Sequence, residues 1–172
     1  MGVVFEHENV GLCVLRLNEF EEVYDRLLSK PQVVKYLPFK VHTSPDETLG
    51  FLSKLLTLKD VEVLTIRHAA DPRLMGLFTV AKSGHSIALS IMVAPDRYSM
   101  GAGRWIGPPF CYWLLAHAGI WRLWSYTDID NVGVANMLIK GGARCEGLMR
   151  RYAIHPNISN EPRDCWLWSF VR

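Results

Sequence analysis

The spacing of apolar residues changes along the chain, and each change predicts an element. Residues 11–16 (GLCVLR) are apolar and partly β-branched, which predicts a strand. In LNEFEEVYDRLLSK the period lengthens. Phe20, Val23, Tyr24, Leu27 and Leu28 fall at helical spacing, with Asn18 as a cap and Glu21 three residues on. Pro31 ends this helix or begins a short second one. A proline-rich loop, KYLPFKVHTSPDET, leads to a helix from about Pro45, with Ser44 at its N-cap and Leu49, Leu52, Leu55 and Leu56 on one face. Three strands follow, VEVLTIRH, RLMGLFTVAK and HSIALSIMVA, the last two joined by a hairpin at Gly84. The pattern then predicts a helix, PPFCYWLLAHAG, closed by Gly119, and a strand, WRLWSYTD. Next come the helix NVGVANMLIKGG, with Asn131 as cap, and the closing strands ARCEGLMRRYAIH and RDCWLWSFVR about the turn PNISNEP. The order β, α, α, β, β, β, α, β, α, β, β predicts a single mixed α/β domain over residues 1–172. Helices pack on a mostly antiparallel sheet with one βαβ crossover.

Composition adds few constraints. At 49% hydrophobic and 21% charged residues the 172-residue chain is globular, with enough length for a sizeable core. A net charge of +2, with no dense basic stripe, argues against a nucleic-acid partner. No apolar run is long enough to suggest a membrane span. MGVVFEHENV lacks a basic n-region and a cleavage site, so no signal peptide is expected. Cys13, Cys111, Cys145 and Cys165 form no CxxC pair and sit in apolar surroundings, which fits free thiols in the cytoplasm and no metal site.

Chemistry concentrates in RYSMGAGRWIGPPF, residues 97–110. A glycine-rich turn between a strand and a helix presents several backbone N–H groups in one direction, and the helix dipole adds positive potential. Such a turn suits a diphosphate. GAGRWIG is one residue too long for a dinucleotide-binding fingerprint, although Asp128 ends the next strand and keeps a dinucleotide-dependent enzyme as an alternative. A P-loop is excluded, since no GK[ST] follows the glycines. Pro108 and Pro109 predict a short turn over 103–106 and a kink or restart of the helix at Pro108.

Pro95 followed by YSMGAG resembles the pyrophosphate loop of GNAT-type N-acetyltransferases, with Gly101 and Gly103 at the glycine positions and Tyr98 where Arg or Gln is usual. The likeness extends over nearly the whole chain. LRLNEFEEVYDRLLSKPQVVKYLPF, NVGVANMLIKGGARCEGLMRR and PRDCWLWSFVR are similar, in that order, to segments of the branch that acetylates ribosomal-protein N-termini (the RimJ/RimL type). The resemblance implies the GNAT fold, a mostly antiparallel twisted sheet whose central parallel strands splay apart, with flanking helices. It implies acetyl-CoA as co-substrate and an unidentified primary amine, a protein N-terminus or a small amine, as acceptor. The pantetheine arm would lie between SIMVA and WRLWSYTD and pair with the backbone of Met92 and Val93. Tyr98, Ser99, Met100, Gly101, Ala102, Gly103 and Arg104 would surround the diphosphate. Asn131, Asn136 and Lys140 would approach the arm or the nucleotide.

Departures from the family pattern fall on proton transfer. Ala88 stands at the usual base position, Val134 at the usual Ser, Leu138 where other branches place Tyr, and Ala143 where Phe is usual. Replacement candidates are Ser90, Ser125, Tyr126 and Asp128 on the two splayed strands, and His155 in the last loop. The expected protein is an N-acetyltransferase, monomer or homodimer. The alternative is an acyl-CoA-binding regulatory module with little or no turnover.

Overall fold

A computed structural model describes the backbone of residues 3–98 and 102–172 and the side chains of residues 4–98 and 106–172. Eight strands form one sheet: β1 (Val3–His7), β2 (Val10–Val14), β3 (Val61–His68), β4 (Asp71–Ser83), β5 (Ser86–Val93), β6 (Arg122–Asp128), β7 (Arg144–Ile154) and β8 (Pro162–Val171). Their spatial order is β1-β2-β3-β4-β5-β6-β8-β7. Every neighbouring pair is antiparallel except β5 and β6. That parallel pair needs a crossover, and α4 (Ala102–Ala116) supplies it. The sheet is thus the mixed, mostly antiparallel one that the pattern predicts. It is not the doubly wound sheet a dinucleotide reading requires.

Alternation along the central strands builds a core on each face of the sheet. Leu64 and Ile66 of β3 and Phe78 of β4 pack with Ile106, Phe110 and Leu115 of α4. Val63 of β3 and Leu77 of β4 point the other way, toward Val23 of α1 (Phe20–Val23), Val34 of α2 (Pro31–Val34) and Leu52 of α3 (Pro45–Leu55). Full burial of such side chains contributes roughly 1.5–3 kcal/mol each. α1 sits between a 3-10 turn, Leu17–Glu19, and a π turn, Tyr24–Leu28. Helix α3 starts where the sequence says: Ser44 Oγ accepts from Glu47 N–H at 3.2 Å, and Thr43 N–H donates to Glu47 Oε2 at 2.8 Å. Gly84 takes φ +58° in the two-residue turn joining Ser83 to Ser86.

Two expectations are corrected. A strand, β1, precedes residues 11–16. It folds back on β2 through Glu8 and Asn9, both at positive φ, an arrangement favoured when neither residue is β-branched. Helix α4 also runs unbroken from Ala102 to Ala116, through Pro108 and Pro109, with no restart at Pro108. Two backbone hydrogen bonds are forfeited, to the carbonyls of Arg104 and Trp105. Packing on both sides of the prolines outweighs that loss, since Ile106, Phe110 and Cys111 are all buried in one core. Gly107, lacking a Cβ, relieves the clash that a proline imposes on its predecessor. Pro31 begins a short helix, one of the two outcomes expected of it.

Helix α5 (Val132–Lys140) packs beside α4 with no fully buried residue. Its C-terminal end meets α4 closely. A Cβ on Gly141 would lie 2.7 Å from Pro108 Cγ, and one on Gly142 would lie 2.6 Å from Tyr112 Oη.

Candidate active site

β5 and β6 hydrogen-bond only over Ser86–Arg122, Ile87–Leu123 and Ala88–Trp124. Beyond Ala88 they part, although β5 continues to Val93 and β6 to Asp128. A cavity of about 550 Å³ fills the gap. Its walls come from both faces of the sheet. Cys111 of α4 and Val134, Met137 and Leu138 of α5 line one side, and Val33, Tyr36 and Leu37 line the other. The opening therefore passes through the sheet. On its far side β5 is held close to β4 at Gly76, where a Cβ would collide with the Met92 carbonyl. Splayed strands leave unpaired backbone groups, and these must be satisfied by water or by a ligand.

Eight of the expected site residues reach this cavity. Ser90, Met92 and Val93 line it from β5, Ser125, Tyr126 and Asp128 from β6, and Tyr98 and Asn131 from the flanking turns. Asn131 occupies the N-cap of α5 but makes no side-chain capping bond. Asn136 and Lys140 are exposed and do not belong to the described wall, because α5 turns Gly133, Val134, Met137 and Leu138 inward. Ala88 is the last paired position of β5 and does not belong to that wall either. Ser99, Met100 and Gly101 lie outside the described residues. Ala102, Gly103 and Arg104 form the first turn of α4, and their side chains lie outside the described set.

Asp128 is the most heavily engaged wall residue. Arg163 grips its carboxylate through Nε (2.6 Å) and Nη2 (3.0 Å), Asp130 N–H donates to Oδ1 at 2.9 Å, and His155 Nε2 lies 3.5 Å from Oδ2. Burial alone would raise its pKa. The Arg163 hydrogen bonds, the Asp130 amide and the nearby positive charge outweigh burial and hold the carboxyl below the usual range. His155 is fully buried behind Asp128, and burial lowers its pKa against the pull of the Asp128 charge and the Leu37 backbone. Cys165 Sγ lies 3.9 Å from the same His155 nitrogen that faces Asp128. A relay needs the two ring nitrogens to face different partners, so these three residues do not form a nucleophilic triad. Burial raises the Tyr126 phenol, aided by Tyr152 and Cys165, and pushes the Cys111 thiol up to about 12. Arg97, also on the wall, is buried and ion-paired with Asp71.

Several residues that shape the site carry no local signal. Asn157 donates through Nδ2 to Val34 O and Phe39 O, both at 2.8 Å, and accepts from Val41 N–H at 3.0 Å. These bonds fix the segment after α2 against the β7–β8 loop. Tyr36 Oη donates to Asp130 O at 3.1 Å and ties α2 to the start of α5. Arg163 lies in the closing strand and would be found only by asking what neutralises Asp128.

No family model matches the chain, and no curated protein matches it. Among solved structures, a GNAT-family acetyltransferase from Bacillus anthracis superposes with TM-score 0.83 at 18% identity, over 96% of each chain. Spermidine N-acetyltransferase from Vibrio cholerae, solved with CoA and spermine, gives 0.81 at 14% identity, over 96% of each chain. RimL, the ribosomal L7/L12 α-N-protein acetyltransferase solved with coenzyme A, gives 0.85 at 12% identity, over 99% of this chain and 98% of that one. The chain has the GNAT fold.

Proposed function

We propose that the protein is an N-acetyltransferase that moves an acetyl group from acetyl-CoA to a primary amine. The observation that carries this reading is the parting of β5 and β6 after Ala88–Trp124 around a cavity, in a chain whose sequence sets the glycine-rich SMGAG at the start of α4. In this reading the pantetheine arm runs along the backbone of β5 at Met92 and Val93, and amides of the turn from Met100 to Arg104 hold the diphosphate. Asn131, uncapped on the cavity wall, contacts the arm. A donor bound from the α4–α5 side and an acceptor entering past Tyr36 would meet within the sheet. The amine nitrogen then attacks the thioester carbonyl. A C–N bond forms, the C–S bond breaks, the nitrogen loses a proton and the sulfur leaves as a thiol. Positioning two reactants in this way is itself worth several kcal/mol, up to roughly 7–11 in well-oriented systems. GNAT neighbours solved with CoA support the donor, and a spermidine enzyme and a ribosomal-protein enzyme among them support an amine acceptor.

A CoA-binding module with little turnover is the second reading. Its support is that Val134 and Leu138 present only apolar groups to the cavity and that Asp128 is already engaged by Arg163. Calorimetry with acetyl-CoA and CoA tests the donor site, and thiol release over an amine panel separates enzyme from module. Gly101→Glu places a side chain and a negative charge in the turn and is expected to weaken CoA binding at least 100-fold. Unchanged affinity in that variant would refute the diphosphate reading.

A further inference from the structure

Among the described residues, the cavity wall offers an ammonium ion no free carboxylate and no imidazole. Among the described residues its titratable members are Tyr36, Arg97, Tyr98, Cys111, Tyr126 and Asp128. Asp128, the one carboxylate, is saturated: Arg163 takes both oxygens, the Asp130 amide takes Oδ1, and His155 stands behind Oδ2. Its side chain is 0% exposed. Arg97 is a cation already paired with Asp71, and burial holds the Tyr98, Tyr126 and Cys111 protons in place near neutrality. Two of the wall's aromatic rings already have partners. Lys35 Nζ sits 5.0 Å over the Tyr36 ring, and Tyr126 packs edge-on with Tyr152 at 4.9 Å. The stretch 99–105, SMGAGRW, contains neither a carboxylate nor an imidazole.

Two penalties follow for a strongly basic acceptor. Its ammonium would enter an apolar gap without a counter-charge, which is costly. It would also have to shed its proton unaided. An alkylamine with an ordinary pKa of about 10.4 is neutral in only about one molecule in 2,500 at pH 7. An amine that is neutral at working pH escapes both.

Resting on the acetyltransferase reading, we propose that the acceptor is a weakly basic primary amine carried on an apolar body, of which an arylamine is the type, and not a polyammonium ion. Val33, Tyr36 and Leu37 then receive the apolar body, and the uncharged Gln32 amide stands at the rim. The wild-type protein is assayed for CoA thiol release with aniline, phenethylamine and spermidine from pH 6 to 9, beside calorimetry with acetyl-CoA. At pH 7 the kcat/KM for aniline should exceed that for phenethylamine at least tenfold, the lower nucleophilicity of aniline having removed part of the larger factor. The aniline profile should be flat, and the phenethylamine profile should rise about tenfold per pH unit, because only its own proton is lost. Gln32→Glu supplies the missing carboxylate and should raise the phenethylamine-to-aniline ratio at least tenfold. A preference for spermidine or phenethylamine at pH 7, a flat phenethylamine profile, or acetyl-CoA binding without aniline turnover would overturn the proposal. No heat with acetyl-CoA would instead overturn the acetyltransferase reading beneath it.

Discussion

At Asp128 one carboxylate holds three segments together: β8 through Arg163, the turn into α5 through the Asp130 amide, and the β7–β8 loop through His155. Removing its charge leaves Arg163 with Asp130 as its remaining acidic partner, at 2.5 Å through Nη2. Breaking a buried pair costs about 3–5 kcal/mol, and the part-exposed Arg163 places Asp128→Asn at the lower end, about 3 kcal/mol. The urea midpoint would report it, and an unchanged midpoint would contradict the assignment. His155 and His42 lie behind this wall and under α3, and burial holds both below the ordinary 6.5, against the charges of Asp128 and Glu47. The unfolded chain binds these protons more readily, so their contribution to stability is complete above pH 6.5 and falls as the pH drops below it. The protein should unfold at lower urea at pH 5.5 than at pH 7.5; a higher midpoint at pH 5.5 would reverse the sign. Sequence placed Asp128 and His155 among the candidate proton acceptors because residue type and strand position are local. The engagement of Asp128 by Arg163, 35 residues away, is not local and could not be read.

Helices α4 and α5 show what pattern captures and what it misses. Apolar spacing found both, along with every strand from β2 to β8, because a period of two or of 3.6 is written in neighbouring residues. The prolines were weighed by their local cost alone, which predicts a break. The packed helix keeps them, with Pro108 seated against Gly141. Strand β1 was missed for a related reason, since its turn uses Glu8 and Asn9 without a glycine to mark it. The Pro108–Gly141 contact makes a coupled prediction. Gly141→Ala should destabilise the protein by about 1–3 kcal/mol through overpacking. Pro108→Ala removes the ring and returns an amide to the Arg104 carbonyl, so Gly141→Ala should cost less in that background. A double-mutant cycle measures the coupling, and strict additivity would exclude the contact as its cause.

Over the whole molecule, the two ends of the cavity are assembled in different ways. On the proposed reading the donor side is built from β5, α4, β6 and α5, which are consecutive in the chain, and this contiguity is why the sequence could suggest its outline. The opposite side is closed by α2 and the segment after it, and those residues are tied down from the far end of the sequence. Asn157 bonds to Val34, Phe39 and Val41 across separations of 123, 118 and 116 residues. Such distant closures are slow to find and are made only when both ends exist. On the ribosome, a chain growing from its N-terminus completes α2 early and then makes β5, α4, β6 and α5 in turn, while the loop that will anchor α2 is still unmade. The half of the cavity lined by Val33, Tyr36 and Leu37 is therefore the last to be fastened at birth.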